Sequence, residues 1–319
     1  MDEPVSGPLD RVAREIGGIE AVERLAALSG SDFASLMLEV TRRRAARETP
    51  ASVLRRYTHD RFVRPGNGAA VAASWRAGRR AEDLLVGCLP GSVEMVTLAP
   101  LVPLGTHSTL GTVSQDKVVT AVRACEVAAD PTDALALEAA VRRRADPDAG
   151  PVRLAAIQRV VRAQRFAAGY AAHFSLFALV TADRDQGSGR FEVSALAEQL
   201  RFAVAALRAA DFGEAPDASV QVALTPLSEA GERMVTAVTE ELAALPAEIV
   251  TDHTRTAGRG YYRDVCFKVN VLADGATIEI GDGGFTDWTA KLLSDRKERL
   301  LISGHGLDRI ARLIAGTPA

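Results

Sequence analysis

Residues 158–182 read QRVVRAQRFAAGYAAHFSLFALVTA and carry the pattern that decides the fold. Two runs rich in β-branched and aromatic residues flank a loop of small and polar residues, which predicts a strand–loop–strand unit. Arg162 ends the first run and Phe174 begins the second. A guanidinium fixed on a strand can hold a phosphate bidentately, and a phenyl ring can stack on a flat base. A plain hairpin with a surface arginine and a core phenylalanine is the alternative interpretation.

A second segment, residues 300–314 with the sequence LLISGHGLDRIARLI, predicts a strand that leads into an amphipathic helix. Gly304 and Gly306 lie at the turn, where glycine lets the backbone approach a ligand and the helix N-terminus attracts an anion. Arg309 follows in the first helical turn. The spacing lacks the third glycine and the following acidic residue of a dinucleotide fingerprint, so we exclude that class of site.

Short apolar runs in these two segments and in the rest of the core predict strands, separated by helices. The predicted strands span residues 93–99, 152–161, 173–182, 219–225, 265–272, 276–281 and 299–304. Several of them are neighbours joined like hairpins, without the helical crossover that parallel strands need. We therefore predict an α+β fold in which a mostly antiparallel sheet is flanked by helices.

The N-terminal part of the sequence has apolar residues at helical spacing instead. Residues 9–28 predict a helix interrupted by glycines, Ser31 is the predicted N-cap of a second helix, and Pro50 begins a third. A stretch rich in proline and glycine then separates these helices from the predicted strands. The sequence thus predicts an N-terminal helical segment over residues 1–65 and a core domain over residues 66–319.

Composition narrows the class of protein further. With 38 basic and 41 acidic residues the formal net charge is −3, which gives no general attraction to nucleic acid. The three cysteines have no CxxC spacing, which disfavours zinc and disulfides and indicates a reducing compartment. The N-terminus does not read as a signal peptide, and no run approaches the roughly 18 apolar residues of a membrane span. We expect a soluble, cytoplasmic protein.

The two segments quoted above resemble motifs 2 and 3 of the class II aminoacyl-tRNA synthetases, and further elements resemble the histidyl branch. RTAGRGYYRDVCFKV at 255–269 is similar to the R-G-L-D-Y-Y element of that branch, and GDGGFTDWTAKLL at 281–293 to its G-G-R-Y-D element. LAPLVPLG at 98–105 resembles motif 1. ADPTDALALEAAVRRR at 129–144 resembles the segment that holds the substrate's α-amino group.

This resemblance implies ATP and Mg²⁺ as cofactors, because attack of a carboxylate on the α-phosphorus needs charge neutralisation on both sides. Arg162 would hold the α-phosphate, Arg309 would clamp the γ-phosphate side, and Phe174 would stack on adenine. Gln164 replaces the glutamate of motif 2 and can still accept a hydrogen bond from the adenine amino group.

The amino-acid half of the site departs from the histidyl pattern. Leu176, Ala178 and Val180 stand where that branch reads imidazole, and Phe285 replaces the arginine of G-G-R-Y-D. Burying imidazole nitrogens without partners costs about 1–3 kcal/mol per group, so we do not expect histidine as the substrate. The substrate-binding residues that the resemblance implies are Asp130, Thr132, Leu176, Ala178, Tyr261, Tyr262, Phe285 and Asp287.

The additional catalytic arginine of the histidyl branch has more than one candidate. An ungapped alignment on Tyr261 and Tyr262 places Ala257 there, whereas a small deletion places Arg259 there. We favour Arg259, with Arg263 as a weaker substitute.

The function that the resemblance implies is ATP-dependent formation of an acyl-adenylate. The acyl group would pass to a small amine, a carrier protein or a peptide, since the chain is expected to lack an anticodon-binding domain. Two alternatives stay open: a non-catalytic regulator similar to the regulatory subunit of ATP phosphoribosyltransferase, and a tRNA-acting enzyme that uses its N-terminal arginines. Class II cores dimerise through motif 1, so we expect a homodimer.

Overall fold

The computed structural model describes residues 7–59, 68–111, 113–164, 171–210, 212 and 217–316. The strands, in chain order, are β1 (Glu94–Met95), β2 (Leu101–Pro103), β3 (Thr120–Ala121), β4 (Cys125–Val127), β5 (Val152–Val161), β6 (His173–Arg184), β7 (Ser219–Pro226), β8 (Glu248–Thr251), β9 (Arg263–Ala273), β10 (Ala276–Thr286) and β11 (Glu298–Gly306). The helices are α1 (Pro8–Ile16), α2 (Ile19–Ala26), α3 (Gly30–Ala45), α4 (Pro50–His59), α5 (Gly68–Gly87), α6 (Thr106–Thr109), α7 (Pro131–Ala145), α8 (Arg190–Ala209), α9 (Glu229–Glu241), α10 (Trp288–Leu293) and α11 (Leu307–Ile314).

Eight strands form the main sheet, in the order β1-β5-β6-β11-β10-β9-β7-β8. Only the two outermost pairs, β1 with β5 and β7 with β8, are parallel. The predicted α+β fold with a mostly antiparallel sheet is therefore confirmed. The sequence did not predict β8 or the small sheet of order β2-β4-β3, because strands of two to four residues are too short to show a period.

The two faces of the main sheet are covered by different helices. On one face, here called the core face, Phe177 and Leu179 of β6 pack with apolar side chains of α5, α8, α9 and α11. On the other, the pocket face, Ala178 and Val180 pack with α7 and α10. The alternation follows from the period of two along a strand. A predicted site residue on a strand of this sheet therefore lies on one face or the other.

The N-terminal helices begin and end largely as the sequence predicts. Gly17 and Gly18 separate α1 from α2, and α4 begins at Pro50. The predicted N-cap Ser31 is wrong, because Ser29 is the residue whose hydroxyl accepts from the amide of Asp32. The predicted boundary between residues 65 and 66 lies outside the described residues. The helix after it, α5, contributes to the core face.

A buried ion pair links α7 to the first residue of β11. The guanidinium of Arg143 donates through Nε and Nη2 to the two carboxylate oxygens of Glu298, each at 3.1 Å. Its Nη1 donates to the carbonyl of Gly150 at 3.0 Å, and Asp183 lies 3.6 Å away. The side chain of Arg143 is 0% exposed and that of Glu298 is 3% exposed.

Candidate functional site

A pocket of about 290 Å³ opens on the pocket face of the main sheet, between the N-terminus of α7 and strands β10 and β11. Its size suits a single amino acid better than a larger ligand. Its lining includes seven of the residues that the sequence singled out: Asp130, Thr132, Arg162, Gln164, Tyr261, Tyr262 and Gly304. No group of three or more metal-ligating side chains occurs in the part of the chain that the structure describes.

One wall of the pocket is a loop that is held in place by a buried carboxylate. Glu126 of β4 is 0% exposed and accepts from the amides of Gly105 and His107 at 2.9 and 3.0 Å. The side chain of Gln115 donates to it at 2.7 Å. Burial raises the pKa of Glu126, but these donors outweigh burial and the net pKa is lowered. Glu126 therefore positions His107 beside the pocket.

His107 in turn contacts Asp133 in the first turn of α7. Its Nε2 accepts from the amide of Ala129 at 2.9 Å, so the ring is neutral and its proton lies on Nδ1. Nδ1 donates to Oδ2 of Asp133. Asp133 is 2% exposed, and its Oδ1 has no partner within the described ranges. Burial raises the pKa of Asp133 to about 7, although the hydrogen bond from His107 opposes this rise.

Arg162 lies at the mouth of the pocket, just after β5. Its Nε donates to the carbonyl of Ala129 at 3.0 Å and its Nη2 lies 3.2 Å from Oδ2 of Asp130. The guanidinium carbon is 5.0 Å from the centre of the Phe174 ring. Asp130 also accepts from the amide and hydroxyl of Thr132, as the N-cap of α7. Arg162, Asp130 and Thr132 thus form one hydrogen-bonded group.

The floor of the pocket is formed by β10 and β11, where Asp282 pairs with Gly304. Oδ2 of Asp282 accepts from Nη2 of Arg255 at 2.9 Å, and Arg255 is fixed by the carbonyls of Ala257 and Phe267. A Cβ atom built on Gly304 would meet no atom within 4 Å. The open space above Gly304 therefore belongs to the cavity and is not filled by protein packing.

Aromatic side chains line another part of the pocket. Tyr261 packs against Tyr262, with ring centres 4.3 Å apart, and stacks on Trp288 at 6.1 Å. Burial raises the pKa of both tyrosine hydroxyls, so both stay protonated and can donate hydrogen bonds. The pocket consequently combines flat apolar walls with a few fixed polar groups.

The structure places other predicted residues outside the pocket lining. Arg309 donates to the carbonyl of Glu279 at 2.5 Å, and Asp287 pairs with Arg263 at 2.8 Å. Arg259 is exposed. Ala178 pairs with Gly304 in the sheet, and its side chain is buried on the pocket face in the apolar cluster with α7 and α10. Leu176 pairs with Gly306. The loop of residues 165–170 lies outside the described ranges.

Phe285 requires a correction. The resemblance implies that it lines the substrate pocket, but its side chain is 4% exposed and packs on the core face against Phe191. A register shift between Gly284 and Phe285 accompanies this arrangement. Gly284, beside Tyr262 and Cys266, is the neighbouring residue on the pocket face.

Sequence reasoning missed four residues that line the pocket or support it: His107, Asp133, Asp282 and Arg255. The sequence does contain an indication of Arg255, because the resemblance implies an arginine close to Tyr261 and Tyr262. Its guanidinium carbon lies 5.6 Å from the centre of the Tyr262 ring. The turn between residues 255 and 262 folds back on itself, which no alignment on Tyr261 and Tyr262 could reveal. His107 and Asp133 are distant in sequence and have no motif.

The sequence matches no protein-family model and no curated protein, but solved structures are similar. Histidyl-tRNA synthetase of S. aureus, in its apo form, is 12% identical over 80% of this chain and 73% of that chain, with a TM-score of 0.58. An ATP phosphoribosyltransferase regulatory subunit/histidyl-tRNA synthetase from Bacillus halodurans is 14% identical over 75% and 79%, at 0.54. A histidine–tRNA ligase subunit from Alicyclobacillus acidocaldarius is 13% identical over 78% and 95%, at 0.55. At such identities the likeness establishes the fold, a class II synthetase-like core.

Proposed function

We propose that this protein activates a small amino or carboxylic acid other than histidine by adenylation with ATP. The observation that carries the proposal is the group at the pocket mouth, where Arg162 joins Asp130 and lies against Phe174. A fixed guanidinium beside an aromatic ring suits a phosphate linked to a flat base. The acyl group would then pass to a small amine, a carrier protein or a peptide.

The residues present fit ATP at this mouth. Arg162 would contact the α-phosphate, Phe174 the adenine and Gln164 its amino group. Arg309, on the first turn of α11, would turn from Glu279 toward the γ-phosphate. Bound ATP supplies the electrophilic phosphorus and a pyrophosphate leaving group. Mg²⁺ commonly binds through nucleotide phosphates with few protein ligands, and in this proposal it arrives with ATP.

Pyrophosphate exchange into ATP, measured against a panel of amino acids with calorimetry of ATP binding, tests the proposal. Exchange stimulated by at least one acid other than histidine is expected. Absence of both exchange and ATP binding would refute adenylation. Binding of ATP or of an amino acid without exchange would instead support the non-catalytic regulator. Transfer of the acyl group only to tRNA would support the tRNA-acting enzyme.

Gly304 provides a test that the cavity itself is the ligand site. Replacing Gly304 with valine is expected to raise the dissociation constant of ATP or of the activated acid at least about 10-fold, because the new side chain fills the open space. The melting temperature should change little, since no protein atom lies within 4 Å of the added Cβ. Calorimetry and thermal unfolding of both proteins give the answer, and unchanged binding of both ligands would contradict the assignment of the cavity.

The homodimer expected from the resemblance has a matching surface. An apolar groove runs between residues 96–103 and α7, and Leu101 and Val141 on it are 43% and 62% exposed. Large exposed apolar side chains grouped in this way are typical of protein interfaces. We propose that a second copy of this chain covers the groove.

Replacing Val141 with aspartate is expected to convert the dimer into a monomer, because a charge would be buried without a partner at the interface. Light scattering after size-exclusion chromatography measures the mass of each form. Val86 on α5 is 42% exposed outside this groove, and its replacement with aspartate is the matched control. A dimer that persists in the Val141 variant would place the interface elsewhere.

A further inference from the structure

The pocket holds more acceptor groups than the proposed adenylation requires. Besides Asp130, whose expected partner is the substrate's α-ammonium group, the lining includes Asp133 and Asp282. The histidyl branch pattern described above assigns neither of them a role. Each has one oxygen engaged by a neighbouring side chain and the other oxygen available.

Asp282 is held in a fixed orientation. Arg255, whose side chain is 3% exposed, donates to its Oδ2, while the other nitrogens of Arg255 are used by backbone carbonyls. The side chain of Asp282 is 40% exposed and lines the pocket. Arg255 therefore positions the carboxylate and leaves its Oδ1 for a ligand.

Asp133 presents a buried oxygen that its surroundings leave without a hydrogen-bond partner. His107 is neutral, because its Nε2 accepts from a backbone amide, so the hydrogen bond to Asp133 is not an ion pair. Oδ1 of Asp133 is buried and has no partner among the described residues. An unpaired buried acceptor of this kind is costly unless a ligand satisfies it.

Two arginines near the pocket are engaged by carboxylates, and neither forms an ion pair with Asp133 within the described ranges. Arg162 pairs with Asp130 and Arg255 with Asp282. Lys117 also lines the pocket, yet it forms no ion pair within the described ranges. The remaining wall, Tyr261 with its neighbours, offers aromatic faces, which attract cations.

From this geometry we propose that the substrate is an amino acid whose side chain ends in an amine or guanidine, recognised by Asp282 and Asp133. The α-ammonium group binds Asp130 and Thr132, and the carboxylate faces Arg162 and the ATP site. The side chain crosses the floor above Gly304 between the tyrosine wall and α7. This inference rests on the proposed adenylation for the orientation of the substrate, but the recognition of the cation can be measured by binding alone.

The test is calorimetry of three cationic amino acids, L-lysine, L-ornithine and L-arginine, against the neutral L-norleucine, L-norvaline and L-citrulline, with L-histidine as a further arm. At least one cationic member should bind about 100-fold more tightly than its neutral counterpart, because the neutral one leaves buried acceptors unpaired. Equal binding of both classes, preference for histidine, or no binding by any member would overturn the inference.

Variants separate recognition from folding. Asp282→Asn and Asp133→Asn should each reduce the preference for the cationic amino acid about 10-fold. Asp133→Asn keeps an acceptor for the Nδ1 proton of His107, and thermal unfolding verifies that both variants are folded. Asp217→Asn, at an exposed site, is the control. Variants that fold and keep the full preference would overturn the assignment of these carboxylates.

Failure of cation recognition and failure of adenylation give different results. Tight binding of a cationic amino acid without pyrophosphate exchange would leave the recognition intact and refute adenylation. Exchange with neutral amino acids only would uphold adenylation and refute the recognition of a cation.

Discussion

Replacing Arg162 with alanine is expected to lower the rate of pyrophosphate exchange by about 100- to 1,000-fold, the usual effect of removing one preorganised group that stabilises transition-state charge. The charge on the α-phosphate grows as the carboxylate attacks, and Arg162 is the cation fixed at the mouth of the pocket by Ala129 and Asp130. The side chain of Arg162 is 33% exposed, so its loss should alter folding little.

Two further variants sharpen this experiment. Arg162→Lys keeps the charge but loses the bidentate geometry, so its exchange rate should lie between those of alanine and the natural residue. Arg208 is exposed on α8, and Arg208→Ala controls for the removal of an arginine. If the Arg162→Ala protein is folded and exchanges pyrophosphate at the natural rate, the proposed role of Arg162 is excluded.

Replacing Arg143 with methionine is expected to lower the free energy of unfolding by about 3–5 kcal/mol, because it leaves the buried carboxylate of Glu298 without its partner. Denaturant unfolding followed by circular dichroism measures the change. Arg144 is the next residue and is exposed, so Arg144→Met is a matched control that should cost less than about 1 kcal/mol.

A double variant distinguishes the ion pair from simple packing. Arg143→Met combined with Glu298→Leu removes both charges, and part of the lost stability should return, since apolar pairs commonly replace buried ion pairs without loss. The recovery should be incomplete, because Asp183, 3.6 Å from Arg143, still loses its cation. A double variant as unstable as the sum of the single ones would show that the two side chains act independently. Nη1 of Arg184 also lies 4.0 Å from Oε1 of Glu298. In the Arg143→Met protein this arginine will therefore still neutralise part of the charge of Glu298.

The fold was accessible from the sequence because its long strands are strongly apolar. Strands β5, β6, β9 and β11 begin and end within a few residues of the predicted bounds. Local patterns were insufficient where tertiary context decides. Ser29 and Ser31 are equally good capping residues, and only the position of the first helical turn selects Ser29.

Part of the candidate site could also be predicted from the sequence, namely the residues that belong to continuous motifs. Asp130, Thr132 and Arg162 belong to continuous motifs, and the structure places them together in one pocket. His107 and Asp133 meet across 26 positions of sequence, so only the folded chain shows their contact. Phe285 was assigned to the pocket by its place in a motif, whereas the face of the strand on which a side chain lies depends on register.

The position of β11 has a consequence for how the chain folds. Among the described strands it comes last in chain order, yet it lies between β6 and β10 in the middle of the sheet. During synthesis one edge of β6 and one edge of β10 remain without a paired strand until residues 298–306 leave the ribosome. Strand pairings of such high contact order form slowly, and open edges promote association between unfinished chains. The sheet can therefore be completed only after all seven of its other strands have been synthesised.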